Sequence, residues 1–415
     1  MTAAGYIHDA AIVGGGIVGL AAALALSSGG CRVALVERTP PTRLRGDSGF
    51  DIRTVALTPD AAAFLSDLGA DQCAMAPIRR MRIWEFDGTA SLTFEHACAL
   101  ARVAENSDIT SALWAAAERR MDLFSPASVA GVDASPGHMT LTLEDVPASA
   151  RRRTVSARLL IAADGENSVV RALSGVAVRR EPTPRRGMQR ALATIARTRR
   201  SHGDTAWQRF GATGPVALLP LTDEHHVAVI WSASESVSTR LAALDEAAFV
   251  SALAEETEGV TGGFEAVDRR VSFPLQQTLA ADLNPSPRTL IIGDAARTLN
   301  PLAGQGVNVG LEDVRALAAQ AATGGDLGAT GRWRDFARAR RIRSKAMMAA
   351  MRALLTAYCG ATAAKPWMRL ARNATIRRID ASPNVKAHLI REAFGLGPLA
   401  DFGEGRQSAK EGKAR

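Results

Sequence analysis

The group best placed to act on a ligand in this chain is an aspartate set between a strand and a glycine-rich turn. The stretch Gly293-Asp294-Ala295-Ala296-Arg297-Thr298-Leu299-Asn300-Pro301-Leu302-Ala303-Gly304-Gln305-Gly306-Val307-Asn308 follows the apolar run Thr289-Leu290-Ile291-Ile292 and leads into a helical pattern from Val307 to Ala321. A strand therefore delivers Asp294, a Gly/Pro/Asn-rich turn follows, and a helix opens with bare backbone N–H groups. Such a helix start carries about half a positive charge. It suits a phosphate or a hydroxylated chain beside Asp294 and an electron-rich ring over the helix start.

A second cluster lies near the start of the chain. Ala11-Ile12-Val13-Gly14-Gly15-Gly16-Ile17-Val18-Gly19-Leu20 begins as a strand and continues as an Ala/Leu helix to Leu26. The strand Cys31-Arg32-Val33-Ala34-Leu35-Val36 follows and ends at Glu37-Arg38. This βαβ context is what a G-x-G-x-x-G needs before it reads as a dinucleotide site. Gly14 allows the tight turn, Gly16 lets the backbone approach a pyrophosphate, and Gly19 lets helix and strand pack closely. Glu37 stands about 20 residues on, where a carboxylate reaches ribose hydroxyls. The pattern alone does not separate FAD from NAD.

A third candidate is Asp164. Leu159-Leu160-Ile161-Ala162-Ala163 reads as a buried strand, ends at Asp164-Gly165, and is followed by Asn167, Ser168 and Arg171 at the opening of a helix. On its own this could also be an ordinary strand–turn–helix with Asp as the turn residue.

Alternation of strand and helix signals around these clusters argues for an α/β fold. Between Arg186 and Pro285 strands dominate instead: Ala191 to Arg197, Ala206 to Phe210, Val216 to Leu221 and Val227 to Trp231, followed by a helix-like insert from Leu241 to Glu255. This reads as a mainly antiparallel sheet. Ile78 to Phe94 alternates, turns at Asp87-Gly88 and is expected to add strands to it. The expected division is 1–76, 97–185 and 285–340 for a discontinuous Rossmann-like domain, and 77–96 with 186–284 for the second sheet. C-terminal helices follow over 341–400, then a disordered tail over 401–415. The helical stretch after Arg332 carries Arg338, Arg340, Arg341, Arg343 and Lys345, then Met347, Met348, Met351, Leu354 and Leu355. A basic amphipathic helix can lie on a membrane surface or pack with a solvated edge; packing is the favoured reading.

Composition narrows the function. The 415 residues are 47% hydrophobic, enough for a real core. The formal charge of +8 comes from arginine, for no lysine precedes Lys345. The arginines are dispersed and aromatics make up 5%, so no nucleic-acid module is expected. Cys31, Cys73, Cys98 and Cys359 are scattered singly, without metal spacing, as in a cytosolic protein with reduced thiols. His225-His226 reads as part of a solvated turn, and no metal site is expected. No apolar run reaches about 18 residues, so no spanning helix is expected. Ala11 to Leu26 lacks the cationic lead of a signal segment.

Together the motifs resemble those of the ubiquinone-biosynthesis FAD-dependent hydroxylases, a branch of the single-component aromatic-ring flavoprotein monooxygenases. Asp51-Ile52-Arg53-Thr54-Val55-Ala56-Leu57 is similar to a family segment with an Arg near the flavin pyrophosphate. Arg102-Val103-Ala104-Glu105-Asn106 resembles the family's helix entry, and Trp207 to Phe210 with Gly214 to Leu221 resembles its sheet segment.

The resemblance implies FAD held by Gly14, Gly16, Gly19, Glu37, Arg38, Arg53, Arg102, Asp164, Gly293, Asp294, Gly304, Gly306, Val307 and Asn308. It implies NADPH or NADH as reductant, O₂ as oxidant, and hydroxylation of a phenolic ring through a flavin C4a-hydroperoxide. Pro301 and Arg297 would lie beside the reacting ring. The family usually has His where this chain has Arg297, which would set a fixed cation near the flavin. A prenylated phenol fits the resemblance and the apolar C-terminal half, with the protein in the cytoplasm or peripheral at the inner face of a membrane, or in a biosynthetic complex. A small soluble phenol, or a non-catalytic flavin-binding subunit, are the alternatives. The stretch Gly293 to Asn308 argues against a D-amino-acid-type oxidase. Oligomeric state stays open.

Overall fold

Strict two-residue alternation inside the apolar strands builds the first layer. In a strand, successive side chains face opposite sides, so a strand apolar at every position must be covered on both faces. In His8–Val13, Ala10 and Ile12 enter one core cluster while Ala11 and Val13 enter another. Val33–Val36 and Arg152–Ala162 divide in the same way, with Leu35, Leu159 and Ile161 on one side and Val36, Leu160 and Ala162 on the other. The computed structural model describes residues 7–86, 90–147, 152–180, 190–211, 213–299, 305–359, 365–382 and 385.

The central sheet places five parallel strands in the order Asp122–Phe124, Val33–Val36, His8–Val13, Arg152–Ala162, Thr289–Ile291. Strands therefore add first to one side of His8–Val13 and later to the other. His138–Asp145 and Ala127–Ser135 extend the sheet antiparallel. Ile17–Ser28, Asn106–Ala117 and Gln305–Ala321 cover one face. Leu20, Leu24 and Leu26 of the first helix are essentially inaccessible, and truncating Leu24 to Ala would cost about 2–5 kcal/mol.

The second sheet runs Phe264–Val267, Arg190–Thr198, His226–Ala233, Pro215–Pro220, Thr205–Phe210, Arg80–Glu85, Ser91–Glu95, with Val271–Pro274 also on Arg190–Thr198. All its pairings are antiparallel except that between Thr205–Phe210 and Arg80–Glu85. The 80–95 hairpin thus joins this sheet from far upstream; its turn at Asp87-Gly88 lies outside the described residues. Met75–Ile78 does not follow it. That strand pairs with Ala101–Glu105, which also carries Thr54–Leu57, in a small third sheet.

One expectation changes, and the favoured reading of the basic helix holds. The insert from Leu241 to Glu255 is two helices, Glu235–Ala243 and Glu246–Glu256. Leu244 between them is extended, and the Asp245 carboxylate accepts the Ala248 N–H at 2.7 Å, so a cap starts a new helix where apolar spacing suggested continuity. The basic helix Arg334–Cys359 is packed: Arg340 and Arg343 are buried in ion pairs, and Met347, Met348 and Leu355 are buried too. Pro366–Asp380 docks on the second sheet through Arg372, whose Nε donates to Glu85 at 2.7 Å. Among the described residues no helix is long and apolar enough to cross a membrane.

Candidate cofactor and active site

The three sequence clusters meet at one edge of the central sheet. Gly14 follows His8–Val13, Asp164 follows Arg152–Ala162, and Asp294 follows Thr289–Ile291, three neighbouring parallel strands. The Ala163 N–H donates to Val13 O and the Ile292 N–H to Ala162 O, so the ladder continues up to the loops. Strand order reverses between His8–Val13 and Arg152–Ala162, and the crevice beyond the C-terminal ends at such a point is where open α/β sheets bind ligands.

Each glycine of the turn at residue 14 has a distinct constraint. Gly14 has φ +113°, and a Cβ there would lie 2.3 Å from Ala163 O. A Cβ on Gly19 would lie 2.0 Å from Gly14 O, so helix and turn could not close. A Cβ on Gly16 would meet nothing within 4 Å. That side of the turn is open, as a backbone approached by a ligand must be. The Gly15 N–H donates to Glu37 Oε2, and Thr39 N–H donates to Oε1 at 2.9 Å. Each oxygen keeps a lone pair for a hydroxyl. Arg38 is exposed beside it.

Asp294 sits on a single helical turn, Gly293–Ala296, where the sequence predicts only a turn. Gly293 has φ +59°, and its N–H donates to Asp313 Oδ2 at 3.1 Å. Arg297–Thr298 then pairs with Thr278–Ala280, fixing the turn from its far side. Water reaches the Asp294 side chain although protein surrounds it, as for a group on the floor of a concavity. Burial pushes its carboxyl above the ordinary carboxylate range. Arg297 and Arg53 pull it back, and Glu166 and Asp313 push it up. It makes no hydrogen bond among the described residues.

The other cofactor candidates divide between the concavity and its frame. Arg53 is exposed and close enough for its charge to act on Asp294. Gly306 is near too, for its Cβ position lies 4.0 Å from Asp294 Oδ1. Asp164 caps the following helix, Oδ2 accepting from Val169 N–H at 2.8 Å and Val170 N–H at 3.2 Å, while its buried Oδ1 has no partner among the described residues. Asn308 clamps the third sheet: its amide donates to Ala56 O at 2.8 Å and accepts from Thr58 N–H at 3.0 Å. Val307 packs on the central core, and Arg102 is exposed on Ala101–Glu105. Pro301 and Gly304 lie outside the described residues.

Arg297, expected as a fixed cation near the flavin, is held in a buried ion pair. It is 3% exposed, and Nη2 donates to Val309 O at 2.8 Å and stands 2.7 Å from Asp313 Oδ2. The pairing cancels much of its field, although its buried Nη1 has no partner among the described residues. Asp313 was not foreseen from the sequence, nor was Asp51. The Asp51 carboxylate accepts from Arg53 N–H at 2.9 Å and Ser107 N–H at 3.1 Å, fixing the backbone that presents Arg53. The acidic pair Glu312-Asp313 in a largely apolar helix was the only available signal for Asp313. Arg171 joins two motifs by donating to Ala295 O and Glu166 O, each at 2.7 Å.

Comparison with known proteins agrees with this geometry. The family described as FAD binding domain matches residues 8–348. The chain is 32% identical over 319 residues to 3-demethoxyubiquinol 3-hydroxylase of Escherichia coli (strain K12), covering 74% of this chain and 78% of that protein. The chain belongs to the FAD-dependent hydroxylase family of ubiquinone biosynthesis. This flavoprotein monooxygenase is also 30% identical over 424 residues to the Homo sapiens mitochondrial ubiquinone biosynthesis monooxygenase COQ6, with 88% of each chain covered. Its fold matches the crystal structure of p-nitrophenol 4-monooxygenase from Pseudomonas putida DLL-E4 with a TM-score of 0.73 at 19% identity, over 97% of this chain and 99% of that one.

Proposed function

We propose that this protein hydroxylates the ring of a prenylated phenol on the route to ubiquinone, with NADPH or NADH as reductant. Asp294 carries the reading: a carboxylate without a hydrogen bond among the described residues, within reach of the Arg53 charge, at the same sheet edge as the open Gly16 turn. These groups suit FAD. The Gly16 backbone would admit the pyrophosphate, Arg53 would offset its charge, and Asp294 and Glu37 would accept hydroxyl hydrogen bonds. Gly14, Gly19 and Gly293 would shape the turns, Asp164, Gly304, Gly306, Val307 and Asn308 would complete the cradle, and Arg38 and Arg102 would add positive charge at its rim.

Bound FAD supplies the redox chemistry, taking two electrons from the nicotinamide and activating O₂, so that one oxygen atom enters the ring and the other leaves as water. The protein's task is to orient the phenol and exclude water, with Pro301 and Arg297 on the side of the reacting ring. Residues 1–76, 97–185 and 285–340 would form the cofactor domain and 77–96 with 186–284 the substrate domain. The substrates of the relatives support a prenylated phenol, and the same analogy supports work beside a membrane or within a biosynthetic complex.

The test is NADPH oxidation by the yellow protein with simple and prenylated phenols under ¹⁸O₂. A hydroxylated prenyl product carrying one labelled oxygen is expected. Labelled product from simple phenols alone would replace the substrate, and NADPH use without labelled product from any phenol would overturn the reading.

A further inference from the structure

Helix Arg334–Cys359 sorts its cations onto two stripes. Arg340 and Arg343 face inward, where Arg340 Nε stands 2.7 Å from Asp313 Oδ1 and both arginines bind Glu312. Arg334, Arg338, Arg341 and Lys345 follow helical spacing along another stripe. They line a cleft of about 640 Å³ whose other wall is formed by residues 282–287. The side chains of these four make no ion pair or hydrogen bond among the described residues, and Arg341 Nε is buried without a partner. Asp282 is the one carboxylate in the lining, and its Oδ1 already accepts the Asn284 N–H at 2.9 Å. Leu283, Pro285, Pro287 and Ile342 add apolar wall, Ile342 being half exposed.

Like charges gathered in one cleft repel, and partial burial strengthens the repulsion. An anion with several oxygens would relieve it, and guanidinium forks match phosphate geometry. The cleft is not the cofactor site. Its loop leads into the N-terminal end of Thr289–Ile291, whereas Asp294 follows the C-terminal end. We propose that this cleft binds a phosphate-bearing anion through Arg334, Arg338, Arg341 and Lys345. The phosphate belongs either to a lipid headgroup, whose chains would meet Ile342, or to a free compound.

The experiment uses the full-length, FAD-loaded protein. Inorganic pyrophosphate is titrated calorimetrically, and sedimentation is measured with phosphatidylcholine vesicles with and without phosphatidylglycerol. The triple variant Arg334→Gln/Arg338→Gln/Lys345→Gln removes exposed cations of the cleft. Arg119→Gln/Arg120→Gln/Arg199→Gln removes the same charge from exposed positions elsewhere. Flavin content of both should match wild type. Pyrophosphate binding weakened at least about tenfold in the cleft variant alone supports the site with a free phosphate. The same selective loss with phosphatidylglycerol vesicles supports the site with a headgroup. Binding of neither probe, equal weakening in both variants, or equal sedimentation with both vesicle types would overturn the proposal.

Discussion

Arg297 Nη2 lies 2.7 Å from Asp313 Oδ2, with both side chains at 2% exposure or less. Asp313 also accepts from Gly293 N–H and Arg340 Nε. One carboxylate thus ties the turn bearing Asp294, the strand after it and the long C-terminal helix. Removing one partner of a buried pair costs about 3–5 kcal/mol. Asp313 keeps Arg340, so Arg297→Met should fall near the lower end, about 3 kcal/mol, read as a lower thermal midpoint. An unchanged midpoint would show that the pair contributes nothing to the fold.

Asp294→Ala should weaken FAD binding roughly tenfold to hundredfold, the range for a hydrogen bond to a charged group. No internal hydrogen bond of Asp294 would be lost, so circular dichroism and the thermal midpoint of the FAD-free protein should stay near wild type. Stoichiometric flavin in the purified variant would remove Asp294 from the site.

Gly16→Val and Gly19→Val should fail differently. The first adds a side chain into open space, so the protein should fold yet take up little FAD. The second drives a Cβ to 2.0 Å from Gly14 O and should leave little folded protein. Normal flavin content in folded Gly16→Val would refute the pyrophosphate role.

Acid should loosen the C-terminal helix through Glu312. Burial raises its carboxyl, but Arg343 and Arg340 outweigh burial and hold it below its ordinary 4.5. The folded state therefore binds fewer protons than the unfolded state just below 4.5, and stability falls as pH drops through the depressed folded value. Glu312→Gln should be less stable at neutral pH and lose less between about pH 5 and pH 3. Parallel midpoint–pH curves for the two proteins would contradict this.

The chain by itself determined the local elements and the chemistry-bearing turns. Two-residue alternation, the glycine spacing after Val13 and the Asp after Ile292-Gly293 depend on neighbours a few residues away, so they are readable in one dimension. The break at Asp245 was missed although it is local, because capping competes with apolar periodicity and the periodicity looked continuous. What only tertiary structure decided were the partners of charges. Nothing in the order of residues says that Arg297 meets Asp313, that Asn308 clamps Ala56, or that Arg340 is buried while Arg338 is exposed. Those outcomes depend on which helix lies across which strand. A buried charge is stable only when folding brings its counter-charge from a distant part of the chain.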